Sequence, residues 1–143
     1  MIGVLFIDLK KAFETINRHK LLQKLESIGI GGTVLMWFES YLSQRKQRVK
    51  FGNVMSDERD INFGVPQGSI LGPLLFLIYI NYVFEIFKDS SIICKLFADD
   101  MKLYINGNNI GLIDRILNEA LSKLLEWLNE NQMKINSDKT VFM

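Results

Sequence analysis

Two apolar segments separated by only two acidic residues constrain this chain more than any other feature. Residues 91–98 and residues 101–105 are each apolar enough to form a buried strand, and only Asp99 and Asp100 lie between them. Strands joined by so short a connection must be antiparallel, because a parallel pair needs a crossover of a dozen or more residues. We therefore predict a β-hairpin that carries two carboxylates at its tip.

A second carboxylate position follows another short strand. Residues 2–7 form an apolar run with β-branched members, and the run ends at Asp8. If this strand neighbours the hairpin in one sheet, Asp8 meets Asp99 and Asp100. Close carboxylates repel one another unless a divalent cation neutralises them, and oxygen ligands favour magnesium. Two such ions can activate an attacking 3′-hydroxyl and stabilise a leaving pyrophosphate, although an acidic pair alone is common in turns.

The rest of the chain reads as one α+β domain, since 143 residues with 48% hydrophobic content suit a single core. Asn17 is placed to cap a helix, and Gly52-Asn53 is placed to turn a hairpin. The predicted helices span residues 18–28, a segment after Gly31-Gly32, residues 70–87 and residues 113–128, and further strands are predicted around residues 47–51, 56–63 and 133–135.

Composition restricts the compartment more than the function. The net charge of +1 does not indicate a nucleic-acid partner, and a single cysteine, Cys94, with no secretory leader favours a reducing intracellular compartment, either nucleus or cytoplasm. Residues 70–87 approach the length of a membrane span. Because Asn81, Glu85 and the Gly72-Pro73 pair interrupt them, we predict a buried helix and no membrane association.

Four segments of the chain contain further motifs. They are FIDLKKAF at residues 6–13, GVPQGSILGPLLF at residues 64–76, FADD at residues 97–100, and NQMKIN at residues 131–136 with Lys139-Thr140. In this order they resemble the palm motifs of reverse transcriptases, especially those of LINE-type, non-LTR retrotransposons. The fragment Tyr-Leu-Ser-Gln-Arg-Lys-Gln-Arg-Val at residues 41–49 also resembles that family.

The resemblance implies a right-hand polymerase palm, an antiparallel split βαβ (ferredoxin-like) sheet packed on helices. It implies an RNA template, a DNA primer, deoxynucleoside triphosphates (dNTPs) and two Mg²⁺ ions. By position in the motifs, Asp8 and Asp99 would bridge both ions, the Leu9 carbonyl would be an accessory ligand and Asp100 a supporting carboxylate. Lys139 would be the general acid that protonates pyrophosphate.

The resemblance also implies residues that contact the nucleotide and the nucleic acid. Phe13 would lie under the nucleotide sugar and exclude a 2′-hydroxyl, while Pro66, Gln67 and Gly68 would approach the nucleotide and template. Four cations precede or occupy the predicted hairpin and suit phosphate contacts, although a solvated hairpin edge is an equal interpretation. They are Arg45, Lys46, Arg48 and Lys50.

Residues 1–143 are expected to be a partial reverse transcriptase domain, a palm core without the N-terminal fingers strands and the thumb. The main alternative is a catalytically incomplete remnant that acts only as a nucleic-acid-binding or interaction module. A receiver-type phosphoacceptor domain is disfavoured because it needs parallel βαβ units. An RNA-dependent RNA polymerase is disfavoured by Phe13 and by the Pro66-Gln67-Gly68 loop.

Overall fold

The computed structural model describes all 143 residues and builds them into one sheet, four α-helices and a projecting hairpin. The elements in chain order are β1 (Ile2–Ile7), α1 (Arg18–Ser27), α2 (Gly32–Leu42), β2 (Lys46–Gln47), β3 (Lys50–Phe51), β4 (Val54–Met55), β5 (Arg59–Asp60), α3 (Leu71–Ile80), a 3-10 helix (Asn81–Phe87), β6 (Ile93–Phe97), β7 (Asp100–Asn106), α4 (Ile110–Glu130) and β8 (Val141–Phe142).

The four-stranded sheet has the order β6-β7-β1-β8, and every neighbouring pair is antiparallel. If these four strands are numbered along the chain, their spatial order is second, third, first, fourth. This is the order of the split βαβ, ferredoxin-like arrangement, in which the first strand pairs between the third and the fourth. The predicted α+β palm architecture is confirmed.

Alternation along the central strands separates a buried face from an open face. Leu5, Ile7, Leu103 and Ile105 are buried against the helices. Gly3 lies on the same face, where a Cβ would come within 2.4 Å of the Ile113 side chain, so only glycine lets α4 approach this closely. The opposite face is only partly buried and contains Phe6, Lys102 and Tyr104.

Two of the four α-helices begin at asparagine caps, and the apolar segment at residues 70–87 is divided into two helices. The side chains of Asn17 and Asn109 cap α1 and α4 by accepting from the amides of Lys20 and Leu112. The single helix predicted over residues 70–87 is instead α3 followed by the 3-10 helix, which begins at Asn81, a residue of low helix propensity. None of the helices combines the length and hydropathy that crossing a bilayer requires.

The projecting hairpin turns at Gly52-Asn53 as predicted, but its strands are interrupted. β3 pairs with β4 and β2 pairs with β5, and the register shifts by one residue between the two pairs. The return strand therefore contains one extra residue, which is a bulge, and it is shorter than the predicted strand at residues 56–63. Glu58 lies in this bulged segment, between β4 and β5.

The strand predicted at residues 133–135 is wrong in extent. Only one bridge forms there, between Leu9 and Ile135, and the fourth strand of the sheet is β8. A turn separates the two, because Lys139 and Thr140 both donate their backbone amides to the carbonyl of Asn136. The apolar pattern at residues 133–135 instead reflects Met133, whose side chain is buried in the core.

A half-buried lysine joins α1 to α3 and to the end of α4. Lys24 Nζ donates to the Tyr79 carbonyl at 2.6 Å and to Asn131 Oδ1 at 2.8 Å. It lies 4.2 Å from the centre of the Tyr79 ring and 4.9 Å from that of Trp127. Burial, together with the charge of Lys20, lowers the pKa of Lys24 to about 8.

The lowered pKa of Lys24 predicts stability that increases with pH. Between pH about 8 and its ordinary value of 10.5, the folded chain binds fewer protons at Lys24 than the unfolded chain does, so the free energy of unfolding rises. Burial raises the pKa of Cys94 to about 11, which opposes this trend above pH 9. The urea midpoint is therefore expected to rise from pH 7.5 to pH 9. Lys24→Met should remove this rise, whereas Lys123→Met, at an exposed position on α4, should leave it unchanged. If the urea midpoint rose equally with pH in both variants, the rise could not be assigned to Lys24.

Candidate active site

The acidic residues lie at the same end of neighbouring strands. β1 pairs with β7 in a register that sets Ile7 opposite Met101, and one further step along both strands brings Asp8 beside Asp100. Asp99 directly precedes β7. The sheet therefore brings to one end three carboxylates that come from two motifs far apart in the sequence.

The tip of the acidic hairpin is displaced by one residue from the predicted turn. Phe97 pairs with Asp100, so the two turn residues are Ala98 and Asp99, and Asp100 is the first residue of β7. Ala98 has a φ of +53° and Asp99 does not have a positive φ, which is the φ pattern of a type II′ turn. Glycine is the usual residue at that first position. Ala98 therefore has a backbone conformation that L-residues rarely adopt, and this turn places Asp99 at the tip of the hairpin.

A cleft of about 370 Å³ opens beside these carboxylates. Its polar lining is provided by Asp8, Asp100, Lys102 and Lys139. Asp99 lies outside this lining, and no three acidic, histidine or cysteine side chains are grouped as a metal-binding cluster. The donors that do share the cleft, two carboxylates, are of the kind that Mg²⁺ prefers, so their chemistry fits a divalent cation.

The Asp8 carboxylate is held by contacts from the fourth motif. Asn136 Nδ2 donates to Asp8 Oδ2 at 2.8 Å, and the Asn136 amide donates to the Asp8 carbonyl, also at 2.8 Å. Lys139 Nζ lies 3.9 Å from Asp8 Oδ1, and its side chain is 69% exposed. One oxygen of the carboxylate thus accepts a hydrogen bond from a neutral amide, while an exposed ammonium group lies near the other. The neighbouring Leu9 is buried and forms the bridge to Ile135.

The predicted nucleotide-contacting residues share a second cleft. Phe13 lies on a single helical turn after Asp8, and Pro66, Gln67 and Gly68 lie opposite it. The Phe13 ring stacks on Phe76, with centroids 4.5 Å apart and planes 26° apart. Because Phe76 is buried in α3, the core fixes the Phe13 ring from below.

Two close backbone approaches shape the loop that carries Gln67 and Gly68. Gly64 has a φ of +77°, and a Cβ there would lie 2.9 Å from the carbonyl oxygens of Phe13 and Glu14. Gly72 passes the Pro66 carbonyl equally closely, so a Cβ would meet that oxygen at 2.9 Å. Both positions require glycine. At Gly64 a side chain would be strained by the positive φ and would also clash, whereas at Gly72 it would only clash.

Arg18 anchors the segment that leads into this loop. Its guanidinium donates to the carbonyls of Ile61, Phe63 and Gly64 at 2.6, 3.0 and 2.9 Å. Burial, with the nearby charge of Arg45, lowers the pKa of Arg18. Arg18 has no carboxylate partner here, so its role is to satisfy backbone carbonyls that would otherwise lack donors.

The predicted phosphate-binding cations differ in their surroundings. Glu58 pairs with Arg48 at 2.7 Å and with Lys46 at 3.4 Å, which offsets part of their charge. Lys50 is exposed in β3, and Arg45 lines the clefts on either side of Arg18. None of these four cations lines the cleft beside Asp8 and Asp100.

Two residues of the site, Asn136 and Arg18, were not predicted from the sequence. Asn136 was part of the fourth motif, but nothing in the pattern assigned it to Asp8, which lies in a distant part of the chain. Nothing in the sequence singled out Arg18, which lies in the first turn of α1. A charged residue directly after the Asn17 cap, followed on the same helix by apolar residues, was the only available signal.

A ferredoxin-like sheet with acidic residues at one end of its adjacent central strands defines a polymerase palm. The chain belongs to the reverse transcriptase (RNA-dependent DNA polymerase) family, whose sequence model matches residues 2–143. This confirms the resemblance to reverse transcriptases of LINE-type, non-LTR retrotransposons.

Relatives and solved structures agree with this assignment. A probable RNA-directed DNA polymerase from transposon BS of Drosophila melanogaster is 29% identical over 97% of this chain, and one from transposon X-element of the same species is 31% identical over 95%. The chain spans only 16% and 15% of those two proteins. Apo telomerase from Candida tropicalis matches 99% of the chain with a TM-score of 0.75 at 15% identity, and the chain covers 28% of it. This last likeness is one of fold.

Proposed function

We propose that residues 1–143 form the palm core of an RNA-directed DNA polymerase that adds dNTPs to a primer 3′-hydroxyl. One observation carries the proposal: Asp8 and the Asp99-Asp100 pair lie at one end of the adjacent strands β1 and β7. The family of the chain supports the same chemistry. The RNA template, the DNA primer and the two Mg²⁺ ions are part of the proposal.

Asp8 and Asp99 would hold the two ions, and Asp100 and the Leu9 carbonyl would support them. When bound, the ions would lower the pKa of the primer hydroxyl and stabilise charge on the leaving pyrophosphate. The Asp8 carboxylate lines the cleft and accepts a hydrogen bond from Asn136 Nδ2. Lys139, on the turn beside that cleft, would supply a proton to pyrophosphate at its ammonium group.

The second cleft is the proposed nucleotide site. Phe13 would lie against the sugar, where its ring, held by Phe76, cannot retreat from a 2′-hydroxyl. Gln67 and Gly68 would contact the nucleotide and template, since Gly68 has no side chain and no atom lies within 4 Å of the place where a Cβ would stand. On the hairpin, Lys50 and Arg45 would contact phosphates more readily than Lys46 and Arg48, whose charges Glu58 offsets.

Primer extension by a polymerase that supplies fingers and thumb to this palm tests the proposal. We expect Mg²⁺-dependent extension of a DNA primer on an RNA template, with no extension in excess EDTA. A DNA primer on the same template without dNTPs serves as the blank. Binding of the primer–template without any extension would instead support the alternative, an interaction module that does not catalyse.

A further inference from the structure

We propose that Asn136 is a positioning residue for Asp8, whose side-chain amide fixes the orientation of the carboxylate in the cleft. This inference rests on the proposed function, in which Asp8 holds a divalent cation. It is drawn from the 2.8 Å bond that Asn136 Nδ2 donates to Asp8 Oδ2.

The side chain of Asn136 is not needed to hold the segment around Asn136 against the segment around Asp8. The backbone already connects the two segments through two hydrogen bonds, from the Asn136 amide to the Asp8 carbonyl and from the Lys10 amide to the Lys134 carbonyl, and these two bonds make up the bridge between Leu9 and Ile135. Both donated bonds are 2.8 Å long. The side-chain amide therefore adds nothing that the fold requires, and its distinct effect is on the carboxylate.

A neutral donor suits a carboxylate that must bind a cation. Asn136 occupies Oδ2 through an N–H group but adds no positive charge, so the full negative charge of Asp8 is retained. The nearest cation, Lys139 Nζ, lies 3.9 Å from Oδ1, beyond hydrogen-bond distance. One carboxylate oxygen is thus fixed and the other remains free of a hydrogen bond from Lys139. Such support of a metal ligand by an outer hydrogen bond is typical of metal sites.

Asn136 also sets the position of Lys139. Its carbonyl accepts the backbone amides of Lys139 and Thr140 at 3.2 and 3.1 Å, and the Thr140 hydroxyl at 2.9 Å. The side chain of Asn136 therefore orients Asp8, and the backbone carbonyl of Asn136 begins the turn that contains Lys139. Because these two roles use different atoms, they can be separated by substitution.

Titration with Mn²⁺, followed by the loss of the free-ion electron paramagnetic resonance signal, tests the side-chain role. Asn136→Ala should weaken the Asp8-dependent site by roughly 10- to 100-fold. Thr140→Val removes a bond within the same turn without touching Asp8, and it should change the affinity by no more than about twofold. The Mn²⁺ binding that the wild type shows and Asp8→Asn lacks is the binding that depends on Asp8.

A measurement without metal gives an independent readout. Three-bond couplings of Asp8 should report one χ1 rotamer in the wild type and in Thr140→Val, but averaging in Asn136→Ala. Asn136→Leu, similar in volume and lacking a donor, should behave like the alanine variant. Failure of both Asn136 variants to fold would overturn the inference, because the backbone hydrogen bonds should hold the two segments together without the Asn136 side chain.

The outcomes separate this inference from the proposed function. If Asp8-dependent Mn²⁺ binding is present and Asn136→Ala binds as tightly as the wild type, the positioning role is refuted and the proposed function stands. If the wild type has no Asp8-dependent binding, the proposed metal site is refuted and the positioning role with it.

Discussion

Asp8→Asn is expected to lower the rate of nucleotide addition by about a thousandfold or more in a polymerase that supplies fingers and thumb to this palm. A carboxylate that bridges two ions contributes several kcal/mol to the transition state, and about 4 kcal/mol corresponds to a thousandfold in rate. Asparagine keeps the shape of the side chain and can still accept the bond from Asn136. The measurement is the single-turnover rate of primer extension at saturating dNTP and Mg²⁺.

The control for this loss is an acidic residue away from the site. Asp89→Asn removes an exposed charge between the 3-10 helix and β6 and should leave the rate within about twofold. Asp99→Asn should resemble Asp8→Asn, because both are proposed to bridge the ions. Extension by either active-site variant at the wild-type rate would refute the ligand assignment.

Phe13→Ala is expected to raise ribonucleotide incorporation relative to deoxynucleotide incorporation by roughly 10- to 200-fold, equivalent to about 1–3 kcal/mol. The ring cannot yield to a 2′-hydroxyl, because it stacks on the buried Phe76. Removing the ring opens the space between the helical turn and the Gln67-Gly68 loop. The measured quantity is the ratio of kcat/KM for the two nucleotides, which does not depend on the fraction of folded enzyme.

Phe13→Tyr provides the matched control for the steric argument. It retains the ring and should retain the wild-type ratio, even if the overall rate changes. Phe13→Ala also loses packing against Phe76, with an expected cost of up to about 3 kcal/mol of stability. If the alanine variant lost stability while the nucleotide ratio stayed constant, Phe13 would be a core residue only.

Local patterns predicted the elements whose chemistry is local. β1 ended at its carboxylate, the Asn17 side chain capped α1, and Gly52-Asn53 turned the projecting hairpin. Each of these depends on residues within a few positions of one another, which is the range over which periodicity and capping act.

Features that depend on distant partners could not be predicted in the same way. The position of the acidic turn depends on how β7 pairs with β1 and β6, so the pattern alone did not exclude a turn one residue later than Ala98-Asp99. The short β8 was missed because Val141–Phe142 gains its strand character only by pairing with β1. The bond from Asn136 to Asp8 likewise requires that the sheet be known first.

The pairing of β1 also determines when this domain can fold. Both neighbours of β1 lie in the second half of the chain, whereas β6 and β7 form a local hairpin that can close within microseconds. During synthesis β1 leaves the ribosome before β7, and the two strands cannot pair until Met101–Asn106 has also left it. Loop closure over so long a separation is slow, which gives this sheet a high contact order. Asp8 therefore reaches its acidic neighbours late in folding, and a nascent chain that stops before β7 has the first strand but no assembled site.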